Sequence, residues 1–539
     1  MKKFVSMMLA GCMLMGTVST VGAAEEEPTV ITWLHESYDV TGLDHWYDAL
    51  WVKELEKRMN VKFEFISVNS SDNYDNIVNL TLSGDKWPDI ISWDWSKYSG
   101  GIQAAIDDGV VVEMTEDLAE KVPNYTQFMK DNDYIRRALE LDDGNFASFC
   151  YVQRDMRSAA WAGMAIRGDW LKRVGKEVPT TIDELHDVLV AFKEQDANGN
   201  GDAGDELPMS DRVTLNLMKE LAPAWGLLYN TMEIDPNTGK VNYWTEVNDG
   251  ENFRDFVLTM KQWYEEGLID PEFTINTQTE INSKVTSDQL GFFYCNTNRY
   301  PGYEVLLKDA IKDYADSDEL ELVPLARFEY QYETDGKEKH YTAANGLLNW
   351  VATSEASVLT QQAVDDGVAD KILDLFNYMY SQEGSDLINW GVEGVSYEVD
   401  ANGNKVWKED LMNNDGSLNS DSVLRYCIAT RGQFPKIADS EAWMTVDCTG
   451  DAAKKALELN MSADLDLLIP KITLTGSDAE TYTRIMNDVN TAIAETFLSV
   501  IIGNKDESAI DDLYQTLDKL GIQQAIEIYQ GIYDNYLAK

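Results

Sequence analysis

Apolar positions change period along the chain, and each change marks an element. Thr29-Val-Ile-Thr-Trp33 is a short β-rich run that leads into Leu34-His-Glu-Ser-Tyr38. From Trp46 to Met59 the residues Trp46, Leu50, Val52, Leu55 and Met59 fall at helical spacing. Val61-Lys-Phe-Glu-Phe-Ile66 alternates with the period of two that a strand requires. A second helix is predicted from about Asp75 to Ser83, stopped by Gly84. Pro88-Asp-Ile-Ile-Ser92 is the next strand. Strand, helix, strand, helix and strand at this spacing imply parallel strands joined by crossover helices, an α/β fold.

The pattern continues further on. Thr181-Ile-Asp-Glu184 reads as a capping box, and Leu185, Val188, Leu189 and Phe192 make the apolar stripe of the helix it starts. Asp235-Pro-Asn-Thr-Gly239 is a turn between two short strands, hence a hairpin. Phe253 to Tyr264 is a helix, Asp288 to Tyr294 a strand, and Asp370 to Met379 a strongly apolar helix. Ala479 to Lys539 reads as helical throughout.

One loop stands apart. Asp196-Ala-Asn-Gly-Asn-Gly-Asp-Ala-Gly-Asp-Glu-Leu-Pro208 alternates oxygen-bearing residues with small ones. Hard cations such as Ca²⁺ take carboxylate, amide and backbone oxygens, and alternation lets a tight loop aim several at one point. The run follows the EF-hand pattern through Gly201 and then departs. The twelfth position is Leu207, and the acids come early, at Asp205 and Glu206. It is EF-hand-like, with a solvated Asn/Gly turn as the alternative. Asp400-Ala-Asn-Gly-Asn404 has the same look without a closing acidic pair, and reads as a hairpin turn.

Composition narrows the function classes. The 539 residues allow two to four domains. With 94 acidic and 44 basic residues the formal net charge is −50, which argues against nucleic acid and anionic membrane surfaces as partners. Lys2, Lys3 and the apolar run Phe4 to Val18 form an export signal, with small residues for cleavage before Glu25. Leu9-Ala-Gly-Cys12 also resembles a lipobox, so free secretion and lipid anchoring at Cys12 both stand open. No later apolar run is long enough for a transmembrane helix. Cys150, Cys295, Cys427 and Cys448 lack CxxC spacing, and either a Cys427–Cys448 bridge or four buried thiols fits. No HExxH, GxSxG, P-loop or GxGxxG motif occurs. A carboxylate pair for glycoside hydrolysis stays open among so many acids.

Five segments in order carry a family resemblance. They are Ser83-Gly-Asp-Lys-Trp-Pro-Asp-Ile-Ile91, Ile166-Arg-Gly-Asp-Trp-Leu171 with Val178-Pro-Thr-Thr-Ile-Asp-Glu-Leu185, the Asp196 loop, Gly267-Leu-Ile-Asp-Pro-Glu-Phe273 and Asn389-Trp-Gly-Val-Glu-Gly-Val-Ser-Tyr397. The chain resembles the extracellular solute-binding proteins of ABC sugar importers (family 1, the long LplA-like lipoprotein subgroup). The resemblance implies a two-lobed, hinge-linked α/β fold with several chain crossovers. It implies a monomer that captures an oligosaccharide between its lobes, closes about a hinge and delivers the ligand to importer permease subunits. The lobes are expected as residues 25–153 plus about 286–344, and 154–285 plus about 345–539, after a signal at 1–24. It also supports structural Ca²⁺ on Asp196, Asn198, Asn200, Asp202, Asp205 and Glu206.

Ligand residues are expected where strands end, since open α/β sheets bind ligands there. Trp33 and His35 follow the first strand, and Trp93, Asp94 and Trp95 the third. Indole rings suit a sugar's C–H face, and the polar neighbours suit its hydroxyls. The resemblance and local character add Arg154, Arg157, Trp225, Tyr229, Asn230, Tyr294, Asn296, Asn345, Trp390 and Glu393. Two other readings remain: a secreted enzyme acting on polysaccharide, and the same fold binding a solute that is not a sugar.

Overall fold

A computed structural model describes residues 27–69, 74–153, 160–310, 320–334, 337–342, 351–412, 418, 420–429, 434–464, 467–469, 472, 474 and 476–539. The chain lays down β1 (Thr29–Ser37), β2 (Val61–Asn69), β3 (Ile90–Trp93) and β4 (Ser148–Val152). β5 (Ala162–Arg167), β6 (Leu207–Met209), the hairpin β7 (Met232–Ile234) and β8 (Val241–Tyr243), then β9 (Leu290–Asn296) and β10 (Leu322–Leu325) follow. A second hairpin is β11 (Tyr330–Thr334) with β12 (Lys337–Tyr341). β13 (Val351–Leu359), the hairpin β14 (Tyr397–Val399) and β15 (Lys405–Trp407), and β16 (Lys436–Ile437) complete the strands.

Two sheets organise the molecule. The first has order β16-β4-β13-β3-β1-β2, and the second β10-β5-β9-β6. β1 pairs in parallel with both β2 and β3, as the strand–helix–strand spacing predicts. Each sheet has its own core. Trp33, Trp51, Phe149, Phe376 and Phe434 fill lobe one, around the first sheet. Trp170, Phe192, Trp244, Phe256 and Phe497 fill lobe two, around the second. The long helices Gly476–Ile501, Ser508–Leu520 and Ile522–Ala538 pack on lobe two.

The sheets correct the expected lobe boundaries. β9 lies between β5 and β6, and β10 pairs with β5, so 286–341 belongs with lobe two and not with lobe one. β13 pairs with β3 and β4, and β16 with β4, which returns 351–437 to lobe one. The sequence places the recrossing at β9, but an apolar strand carries no mark of the sheet that receives it. The chain therefore changes lobe after β4, after β12 and after β16. Ala160, Trp443, Cys448, Leu457 and Ala463 make a small apolar cluster beside the first and last of these crossings.

Local chemistry explains several element ends. Thr181 caps the helix Ile182–Glu194 by accepting from the Glu184 N–H at 3.2 Å. Glu184 reaches back one residue beyond the predicted partner, to the Thr180 N–H and hydroxyl, each at 2.8 Å. The expected helix at Trp46–Met59 is broken: a 3₁₀ turn at Trp46–Asp48 precedes Leu50–Met59. Trp46 turns inward there and donates to Ser67 Oγ. All four cysteines described are free and buried. No helix among the described residues is long and apolar enough to cross a membrane.

Candidate functional site

Strand pairing identifies one edge of each sheet. In lobe two, Ala162 opposes Asn296, Met209 pairs with Phe292, and Leu325 opposes Met164. The start of β5 and the ends of β6, β9 and β10 therefore share the edge that receives the chain from lobe one. In lobe one the ends of β1, β3, β4 and β16 and the start of β13 share the facing edge. Ligands of open α/β sheets lie beyond such edges.

The lobe-one aromatics expected there are core instead. Trp33 is 1% exposed and Trp93 and Trp95 are each 2% exposed. Their indole N–H groups are spent inside the protein, on Ser92 Oγ, Asp75 Oδ1 and the Ala356 carbonyl. His35 is buried and stacks on Phe434 at 4.0 Å between ring centres. Trp390 is buried against Trp407 at 4.7 Å and donates to Asp439 Oδ2. These five are corrected to packing residues: a buried ring whose polar tip is already bonded has nothing to offer a ligand. Asp94 is half-buried and caps the turn Trp95–Lys97 by accepting from the Ser96 N–H. Glu393 is exposed in the loop after Trp390. Arg154, Arg157 and Asn345 lie outside the described residues.

Lobe two keeps the other candidates together at its edge. Tyr294 and Asn296, both half-buried, end β9. Arg212, just past β6, lays its guanidinium over the Tyr294 ring at 5.2 Å. Lys219 Nζ stands 5.7 Å from the centre of the Tyr229 ring. Trp225 packs on Phe256, and Asn230 Oδ1 accepts from the Tyr243 hydroxyl at 2.7 Å. Behind them Asp211 is buried, and burial raises its pKa to about 6, although backbone N–H groups of Leu217, Met218 and Arg212 oppose the shift. Glu220 and Arg327 form a buried ion pair at 2.9 Å.

Sequence reasoning missed Trp161. It is 41% exposed, stands one residue before β5 and meets the Tyr294 ring edge-on at 6.4 Å. Its carbonyl accepts from the Thr297 N–H and hydroxyl, which ties it to the turn after β9. The signal was present: a lone tryptophan in Ser158-Ala-Ala-Trp-Ala-Gly163, with no apolar stripe to claim it. Among the described residues, the indole N–H groups of Trp161 and Trp225 and the hydroxyls of Tyr229 and Tyr294 make no hydrogen bond to protein, and none is a sealed buried orphan.

The Asp196 loop sits at the far end of the same sheet, where Leu207 of β6 pairs with Leu290 of β9. Asp205 accepts from the side-chain amides of Asn198 and Asn200, at 3.1 and 2.9 Å. Asn198, Asn200 and Asp202 side-chain oxygens accept backbone N–H groups two residues on. Asp196 Oδ1 and Glu206 Oε2 are buried with no hydrogen-bond partner. Two orphaned carboxylate oxygens in one oxygen-rich loop fit a hard cation. Among the described residues no three His, Cys, Asp or Glu side chains cluster as a metal site, so amide and backbone oxygens would have to complete the shell.

Two sheets, each with strand ends at the edge where the chain crosses, and aromatic tips left unbonded at the lobe-two edge make up the candidate site. No protein-family model matches the chain. It is similar to the fructooligosaccharide ABC transporter substrate-binding protein FusA of Streptococcus pneumoniae, at 24% identity over 514 residues covering 91% of this chain and 88% of that one. It is also similar to the polygalacturonan/rhamnogalacturonan-binding protein YtcQ of Bacillus subtilis, at 23% identity over 350 residues, 64% of this chain and 63% of that one. Among solved structures, the alginate-binding protein AlgQ2 without calcium ion superposes with a TM-score of 0.74 at 22% identity, covering 94% and 98% of the two chains. An EF-hand mutant of FusA superposes with a TM-score of 0.72 at 22% identity, covering 95% and 100%. The chain carries the fold of these carbohydrate-binding proteins, of which FusA is a substrate-binding protein of an ABC transporter.

Proposed function

We propose that this is an extracellular binding protein that captures an oligosaccharide between its lobes and passes it to the permease of an ABC importer. The observation that carries this reading is the lobe-two wall, where the exposed Trp161 and the half-buried Trp225, Tyr229 and Tyr294 keep polar tips without a hydrogen bond among the described residues. Rings stack on a sugar's C–H face while the free N–H and O–H groups meet its hydroxyls. The relatives' names support sugar as the ligand class. A ligand that touches both lobes favours the closed arrangement of the hinge, and closure commits it for delivery. Micromolar affinity requires only about −8 kcal/mol, within reach of a few stacked rings.

The reading assigns capture without turnover, supported by relatives that are binding proteins. It places Ca²⁺ in the Asp196 loop, held by Asp196, Asn198, Asn200, Asp202, Asp205 and Glu206, where it would satisfy the orphaned Asp196 and Glu206 oxygens. The protein works as a monomer outside the cell, exported by the segment 1–24 or anchored through a lipid on Cys12. Intact-mass measurement of the mature protein separates the last two. Isothermal titration against an oligosaccharide panel, with chromatography of the sugars afterwards, tests the main reading. Binding without new products is expected. Failure to bind any sugar would overturn it, and release of shorter sugars would return the enzyme reading.

A further inference from the structure

Arginines in this acidic chain are mostly taken by carboxylates. Arg58 pairs with Glu383, Arg254 with Asp511, Arg327 with Glu220, and Arg167 with both Asp169 and Asp288. Two arginines at the lobe-two edge are different. Arg212 follows the end of β6, and Arg299 closes the turn Thr297–Arg299 after β9. Among the described residues neither guanidinium has a carboxylate oxygen within 4.0 Å. Among the described residues Arg425, on Ser422 Oγ, is also half-buried without an acid, but Arg212 and Arg299 are the two such guanidiniums at the lobe-two edge.

Their surroundings hold them in place without neutralising them. Arg212 is stacked on Tyr294 and donates to Gln278 Oε1 at 2.7 Å, and the Asn216 amide oxygen faces its other arm. That leaves further N–H groups of its fork without a partner. Arg299 Nε is buried and makes no hydrogen bond. Gln278, which accepts from Arg212, donates to the Tyr303 hydroxyl at 3.3 Å, and burial raises the Tyr303 pKa while the charges of Arg299 and Arg212 oppose the rise. Two nearby acids, Asp211 and Glu220, are turned elsewhere. Asp211 is buried and accepts the N–H groups of Arg212 and Met218 at 2.7 and 2.9 Å, and Glu220 is held by Arg327.

A planar guanidinium recognises a carboxylate through paired N–H groups, and it does so best when partly dried. Resting on the reading of this wall as the sugar site, we infer that the captured oligosaccharide carries carboxylates, as in an oligouronide, and that Arg212 and Arg299 select for them. Neutral sugars would leave both cations partly desolvated and uncompensated. The net charge of −50 sets a field against any polyanion, so the preference must come from this local exception.

Isothermal titration of the full chain with trigalacturonate and trimannuronate, and with kestose and maltotriose as neutral trimers, tests the inference. A uronate trimer is expected to bind at least about tenfold more tightly than the neutral ones. Arg212→Gln and Arg299→Gln should each narrow that ratio by about tenfold, and Arg212→Lys should keep part of it. Melting curves confirm that each variant is folded. A neutral trimer binding as tightly as the uronates, or a preference unchanged in both glutamine variants, would overturn the inference while leaving the oligosaccharide reading intact. Binding of none of the four sugars by folded protein would count against the sugar reading itself, and this inference would fall with it.

Discussion

The substitution Trp161→Ala removes a ring that lies outside the lobe-two core and meets Tyr294 edge-on. A tryptophan presents up to about 250 Å² of surface, and Trp161 is 41% exposed, so about 100 Å² is open. A stacked sugar covers one face, roughly 50 Å² of ring, and buries about the same area of its own C–H surface. At about 25 cal/mol per Å² the lost contact is worth about 2.5 kcal/mol, or about 70-fold in Kd. Stability should hardly move, because exposed substitutions usually stay within about 0.5 kcal/mol. The control is Trp93→Ala, a buried ring bonded to Asp75. Its loss should destabilise lobe one by about 3–5 kcal/mol, chiefly through the cavity left behind. The assay is titration calorimetry with any sugar the natural protein binds, beside urea unfolding of each variant. Should Trp161→Ala leave Kd within about threefold while the protein stays folded, the wall has been assigned to the wrong residues.

Three further outcomes are expected. Thorough chelation should lower the melting temperature, since Ca²⁺ at a hundredfold over its Kd adds about 2.7 kcal/mol to the folded state; an unchanged melting curve would make the Asp196 loop a plain turn. Burial lowers the Lys436 pKa from 10.5 to about 7, with Cys427 and Asp439 opposing. Between those values the unfolded chain holds a proton that the folded chain lacks, so Lys436 adds stability as pH rises through the window. Lys436→Met should therefore lead the natural protein by about 3–5 kcal/mol near pH 7 and lose that lead by pH 10; parallel pH curves would contradict this. Glu220→Gln strands the buried Arg327 guanidinium and should cost about 3–5 kcal/mol in urea unfolding, whereas a loss under about 1 kcal/mol would mean that water reaches the pair.

Elements with a strong local signature were legible in the sequence. The Thr181 cap, the stripe through Phe192, the Asp235 and Asp400 hairpin turns and the closing helices stand as read. Lobe membership was not legible, because β9 and β13 look alike as apolar strands and only pairing tells them apart. The same limit applied to the tryptophans. Trp33, Trp93 and Trp95 sit at strand ends in the sequence, as ligand residues should. Whether an indole N–H is spent inside depends on Ser92, Asp75 and Ala356, the last of these 261 residues away along the chain from Trp95. Trp161 went unread for the converse reason: its small neighbours gave it no pattern, and its exposure is a property of the folded edge.

The loop that first draws the eye and the wall that would bind sugar are joined by the same strands, at opposite ends. Asn198 donates to the Asp288 carbonyl just before β9, and Arg173 donates to the Ala197 carbonyl while facing Asp169. β9 then runs seven residues, from Leu290 to Asn296, before it reaches the edge. At about 3.3 Å per residue that is roughly 20 Å, about twice the Debye length of roughly 10 Å at 0.1 M salt. A cation in the loop therefore exerts little direct field on Arg212 or Tyr294. Its effect on the wall must pass through the stiffness of β6 and β9. On this geometry, chelation loosens lobe two and leaves Kd nearly unchanged at temperatures where the lobe stays folded. A loss of more than about tenfold in sugar affinity on chelation at such a temperature would mean that the loop sets the position of the wall itself.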